Sequence, residues 1–406
     1  MRDARLVLIG QLVGQGSLVL ITPILTRMVA PEEFGLFQIG TAIALIAQPI
    51  ATLRTEFVIP ATRGDRLARR RAILGNGVTL GLSVTLAMGG VVLILAGVGS
   101  STVALSGALV LATYGWMAVE NAVLVRAGQL RRLAVRNGLS GLFAAAAQVA
   151  LVFEVPTAVA LALGLFGGRA LALLLTVRRG RDTLSNGNDA PYGGRRMLSA
   201  VTSGVVSGAA VHVPVIFSGA AFGASASGQV GLAQRIAGTP TTLIGQALGQ
   251  VVTARVAPLI REDLAGLRRA VRQTLLRLLA LSIGAAVLLA VAGPLLAEPV
   301  LGPGWGEAGW LLAIFALPLS LQFAILPVTP LFVMLHKEHS LLMLQIARLV
   351  LMILMATSVF IAGGGLIVAC IAMSAAWTIV YVALIAFVLR YAGEHDAKDR
   401  PGEGAA

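Results

Sequence analysis

Five arginines stand in otherwise apolar stretches of this chain: Arg27, Arg54, Arg169, Arg235 and Arg348. Two acids share those stretches, Glu56 two residues after Arg54 and Glu120 beside Asn121. A charge in hydrocarbon is expensive, so its presence marks function by default. Guanidinium is a planar, permanently charged fork that matches phosphate oxygens two at a time. The chemistry on offer is therefore anion binding, with Glu56 and Glu120 as coupling or gating candidates. Other roles stay open. Arg27 and Arg54 lie near span ends and can snorkel to the headgroups. Arg169 is nine residues before Arg178, roughly 13 Å deeper. Arg348 is eleven residues past Lys337. These two and Arg235 are harder to explain by snorkelling, although a structural ion pair, for example with Glu120, would account for one of them.

Polar residues recur at helical spacing on two segments. Gln38, Thr41, Gln48, Thr52 and Thr55 share one face, and so do Arg235, Thr239, Thr242, Gln246, Gln250 and Thr253. The first apolar run adds Gln11 and Gln15. A polar stripe in a membrane must face protein or water. Either these residues line a hydrophilic cavity between two halves, or they hold helices together. The cavity reading is favoured because both segments are copies of one another. A shift of 198 residues lays Gly40–Ala72 on Gly238–Ala270 without a gap, with 13 of 33 positions identical. The matches include the basic loop Pro-x-x-Arg-x-Asp-x4-Arg-Arg-Ala, so an internal repeat sets the architecture.

The elements that position these residues are apolar spans. Of 406 residues, 57% are hydrophobic and 12% charged, with a mean hydropathy of +0.89. A soluble chain is about a quarter charged. Twelve spans of near 20 residues fit: 6–26, 35–53, 73–97, 102–125, 138–154, 157–177, 199–221, 230–254, 277–297, 309–333, 341–362 and 366–389. The net charge of +13 comes from arginines in alternate short loops. The positive-inside rule explains them without nucleic acid, and it places both termini in the cytoplasm. The expected fold is an all-α polytopic membrane protein of 12 transmembrane helices in two parallel six-helix repeats. Residues 1–177 form the N-terminal lobe, 178–198 a polar cytoplasmic linker, 199–390 the C-terminal lobe and 391–406 a disordered tail.

Catalytic chemistry is missing from the sequence. There is no P-loop, no G-x-S-x-G and no clustered His, Cys or Asp, and the lone Cys370 lies in a span. No metal, cofactor or catalytic residue is expected, and the loops are too small for an enzyme of glycan transfer.

Three segments carry a family likeness. Pro23-Ile24-Leu25-Thr26-Arg27, Ala30-Pro31-Glu32-Glu33-Phe34-Gly35-Leu36-Phe37 and Arg54-Thr55-Glu56 make one block. Gly228-Gln229-Val230-Gly231-Leu232-Ala233-Gln234-Arg235 makes the second, and the run from Leu301 to Gly309 the third. Together they resemble Wzx-type polysaccharide flippases of the multidrug/oligosaccharidyl-lipid/polysaccharide (MOP) exporter superfamily. The resemblance implies MOP/MATE-like lobes in a V with a cationic central cavity, in the bacterial inner membrane. It implies translocation of an undecaprenyl-diphosphate-linked oligosaccharide to the periplasmic leaflet. Its partners would be that polyprenyl-diphosphate-linked glycan, membrane lipid, and a polysaccharide polymerase with glycosyltransferases. Arg54, Arg235 and Arg27 would hold the diphosphate, with Arg169, Arg348 and Glu120 in support. The chain is too short for the fourteen helices of the peptidoglycan-precursor branch. Rival readings are a MATE-like drug or cation antiporter, which needs cavity acids, and a major-facilitator-type carrier.

Overall fold

The computed structural model describes residues 2–62, 64–95, 101–176, 194–261, 266–335 and 337–398. Among these the regular structure is helical: α1 Arg2–Leu20, α2 Thr22–Met28, α3 Pro31–Ala51, α4 Thr55–Val58, α5 Asp65–Leu95, α6 Ser101–Arg126, α7 Leu130–Glu154, α8 Ala158–Thr176, α9 Gly194–Phe222, α10 Ala224–Arg261, α11 Leu267–Leu301, α12 Gly306–Ile325, α13 Pro330–Met334, α14 Glu338–Ile361 and α15 Leu366–Lys398. Helices are what lipid permits, because each backbone group must find its partner within the segment. Eleven segments of the described residues are long and apolar enough to cross a membrane, with α1 and α2 counted as one. The remaining long helix, α10, spans 38 residues, or roughly 57 Å. Its polar stripe, with Gln229, Gln234, Arg235 and Thr239, sets it apart from the eleven. The protein is thus a multi-pass, all-α membrane protein.

Helix boundaries follow local chemistry. Pro23 lacks the N–H that would bond back one turn, and the helix breaks at Ile21 between α1 and α2. Pro31 opens α3, with Glu32 and Glu33 in the first turn where the helix dipole favours acids. Glu33 reaches further: its carboxylate accepts the Ala158 N–H at 2.8 Å and satisfies the start of α8.

The chain packs as two compact units. The first comprises Met1–Gly231 with Val300–Trp305, and the second Leu232–Pro299 with Gly306–Ala406. The divide therefore falls inside α10, whereas the sequence places it at 178–198. The physical reason is that α9 packs on α3, and that the start of α10 crosses α3 at very close range. A side chain at Gly228 would meet the backbone of Pro31 and Gly35. Residues 178–193 of the expected linker lie outside the described residues, while 194–198 already belong to α9. The expected tail from 391 is helical as far as Lys398, and 399–406 lie outside the described residues.

An aromatic cluster lies in the core of the second unit. Trp377 of α15 packs edge-on to Phe315 of α12 and to Tyr381, with ring centroids 6.2 and 6.0 Å apart. Asp396, near the end of α15, accepts backbone N–H groups of Gly266, Leu267 and Arg268 at 3.0–3.1 Å. One carboxylate so caps the start of α11 from the far end of the sequence.

Candidate functional site

Arg54 sits where α3 gives way to α4. Pro49 lies in the last turn of α3, and the helix stops at Ala51. Leu53 and Arg54 then adopt left-handed backbone, with φ of 50° and 55°. Each such residue costs about 1–2 kcal/mol when it is not glycine. Strain of this kind persists where the surroundings enforce it, and it collects at functional sites. Two buried hydroxyls enforce it here: Thr52 Oγ1 donates to Gln48 O at 3.0 Å, and Thr55 Oγ1 to Thr52 O at 2.8 Å.

The break aims the Arg54 side chain across the helix end. Its guanidinium lies 3.5 Å from Glu56 Oε1 and 5.0 Å from the centre of the Phe57 ring. It also rests on Gly204 of α9, where a Cβ would run into it. The other Glu56 oxygen is buried with no hydrogen-bond partner. The pair is only partly exposed, at 24% and 13% of their side chains. Arg54 thus has one loose ion pair and a planar face on an aromatic ring, and the remaining fork is suited to a phosphate.

The remaining sequence candidates divide by surroundings. Arg27 ends α2 beside Gly302, whose φ of 101° and closeness to the arginine stem leave no room for a side chain. Arg235 is half-buried on α10 in the second unit. Gln11 and Gln15 on α1, Gln48 on α3 and Thr239 on α10 are half-buried as well. The Thr41 hydroxyl is buried without a partner. The side chains of Gln246 and Gln250 lie outside the described residues.

Arg169 and Arg348 are nearly inaccessible, at 4% and 2% exposure. Arg169 stacks 3.9 Å over the Tyr114 ring. Arg348 donates to the Tyr381 hydroxyl at 2.7 Å and lies 5.3 Å from the Trp377 ring. Among the described residues neither has a carboxylate within ion-pair range. Aromatic faces hold these cations instead, a contact that strengthens when desolvated. Glu120 is not paired with Arg169; its Oε1 accepts the Asn76 amide at 2.9 Å.

Sequence reasoning missed a buried arginine. In the sequence Arg136 closes a basic cluster with Arg126, Arg131 and Arg132, but it lies in the second turn of α7 and is 1% exposed. Its Nε donates to Thr176 Oγ1 at 2.8 Å and its Nη2 to Thr176 O at 3.2 Å. The usable signal was its helical register, three residues after Leu133 and four before Ser140, both buried on α7.

Three of the quoted family stretches, around Thr26–Phe34, Gln229 and Trp305, meet in space. Trp305 is fully buried, donates its indole N–H to Thr26 O at 2.7 Å, and stands edge-on to Phe34 with centroids 5.4 Å apart. Gln229 donates to Gly304 O at 2.6 Å. These residues form one packed knot at the opposite end of α3 from Arg54. At that other end Arg126 binds Asp65 at 2.6 Å and Thr62 O at 3.0 Å, fixing the first copy of the repeated basic loop. Arg63 of that loop, and Glu262–Ala265 of its second copy, lie outside the described residues.

Fold comparison defines the class. An inward-facing multidrug-resistance MATE transporter of the MOP superfamily superposes with a TM-score of 0.58 at 15% identity, covering 98% of this chain and 95% of that one. The lipid II flippase MurJ, in an inward closed conformation, gives 0.66 at 10% identity, covering 97% and 90%. A MOP-superfamily transporter from Pyrococcus furiosus gives 0.59 at 14%, covering 97% and 96%. The fold is that of MOP-superfamily transporters. The chain belongs to the polysaccharide biosynthesis protein family, whose model matches residues 24–309. No curated protein matches it in sequence. Fold and family together define a multi-pass membrane protein of the polysaccharide biosynthesis family with the fold of MOP-superfamily transporters.

Proposed function

We propose that this protein is a flippase for an undecaprenyl-diphosphate-linked oligosaccharide. It carries that lipid from the cytoplasmic to the periplasmic leaflet of the inner membrane by alternating access, with both termini cytoplasmic. The observation that carries the reading is Arg54: a partly buried guanidinium on a strained helix break, loosely paired to Glu56, in a chain of the polysaccharide biosynthesis family. The diphosphate competes with Glu56 for the guanidinium, and Glu56 retakes it once the lipid leaves. Arg27, at the opposite end of α3 from Arg54, and Arg235, on α10, are candidates to meet the diphosphate at other stages of its passage. Arg169 and Arg348, held on aromatic rings, have a supporting role.

Binding tests the assignment. Purified protein should retain undecaprenyl-diphosphate oligosaccharide over unphosphorylated undecaprenol, and Arg54→Ala should reduce that preference about tenfold or more, the scale of one charged hydrogen bond. Equal retention of both lipids by the unaltered protein would remove the diphosphate from the mechanism.

A further inference from the structure

A second basic site lies within the first unit, at the junction of α7 and α8. A cleft of about 520 Å³ opens there, lined by Gln129, Arg131, Arg132, Val135, Leu175 and Thr176. Small-molecule sites fall in this size range. Its lining is split by chemistry. Arg131 and Arg132 are exposed at the first turn of α7, and Arg132 Nη1 donates to Gln129 Oε1 at 3.1 Å. Val135 and Leu175 present apolar surface at 48% and 62% exposure.

Under this rim is a buried charge. Arg136 holds Thr176, a lining residue, through two hydrogen bonds, while its Nη1 is buried without a partner. Three guanidinium groups thus gather at one helix junction. Glu120, an acid on the neighbouring α6, is already bonded to Asn76. The junction also marks a membrane boundary, since α7 begins and α8 ends there as membrane-crossing segments. Basic side chains above apolar ones at such a boundary match a lipid with an anionic head and acyl chains.

We infer that this cleft is a binding site for an anionic glycerophospholipid of the surrounding leaflet. Its phosphate sits between Arg131 and Arg132, and its acyl chains lie along Val135 and Leu175. The site is separate from Arg54 and independent of the substrate assignment. A bound lipid would link the start of α7 to the end of α8 and so stabilise the first unit.

Native mass spectrometry on purified protein offered equal phosphatidylglycerol and phosphatidylcholine tests this. Retention should favour phosphatidylglycerol, and Arg131→Ala/Arg132→Ala should lower that preference about tenfold. Arg54→Ala should leave it unchanged. The matched control is Arg69→Ala/Arg70→Ala, which removes the same charge from exposed positions on α5 and should leave most of the preference intact. Equal loss in both double variants would reduce the effect to net charge and overturn the site. So would retention without headgroup preference, or release of the lipid by millimolar inorganic phosphate, which would mark a free-anion site. All four arginines are exposed, so folding is not at stake, and a monodisperse elution profile checks it.

Discussion

At the scale of single residues, Arg54 combines charge and backbone strain, and the two can be separated. Arg54→Ala and Arg54→Gly both delete the guanidinium. Only the glycine variant relieves the left-handed backbone at that position, where φ is 55°. The glycine variant should therefore be the more stable by about 1 kcal/mol, read from thermal unfolding, while both lose transport alike. Gly204→Ala approaches the same group from α9. Its methyl would push the guanidinium aside, and a flexible side-chain end yields easily, so transport should fall about tenfold with Tm nearly unchanged. Arg54 was legible in the sequence as a cation in an apolar run. Its backbone was not, since no propensity places Leu53 and Arg54 at positive φ. Arg136 shows the opposite failure. Counting loop charges puts every arginine of a basic cluster in water, and only the helical register of α7 turns one of four inward.

Elements carry a different kind of information. Eleven spans were readable from hydropathy because lipid enforces length and apolarity together. The twelfth expected span, 230–254, falls in α10, whose polar stripe keeps it outside the eleven. What pattern reading could not reach are bonds between ends distant in sequence. The indole of Trp305 on Thr26 links positions 279 residues apart, and the Asp396 cap on α11 joins positions about 130 apart. The expected tail from 391 rests on polar composition alone, and that composition includes the capping carboxylate. Asp396→Ala should lower stability by about 0.5–2 kcal/mol, the usual scale of a lost helix cap. Faster amide exchange confined to the first turn of α11 should accompany it. Unchanged protection there would show that the cap does not hold that turn.

For the whole molecule, the repeat of Gly40–Ala72 at Gly238–Ala270 predicts two equal halves, whereas packing draws α9 and the start of α10 into the first unit. The two divisions answer different questions. The repeat records which helices are copies, and close approach at Gly228 records which helices pack. Likewise the family segments read as a signature of function resolve into a packed knot of Trp305, Phe34 and Gln229, which supports α3 at the end away from Arg54. Purified protein is reconstituted into liposomes with undecaprenyl-diphosphate oligosaccharide, and the glycan is followed by its accessibility to an added glycosidase. The unaltered protein should speed transbilayer movement well above protein-free liposomes, and Arg54→Ala should cut the rate about tenfold or more. Movement no faster than in empty liposomes, or an Arg54→Ala variant as fast as the unaltered chain, would contradict the account.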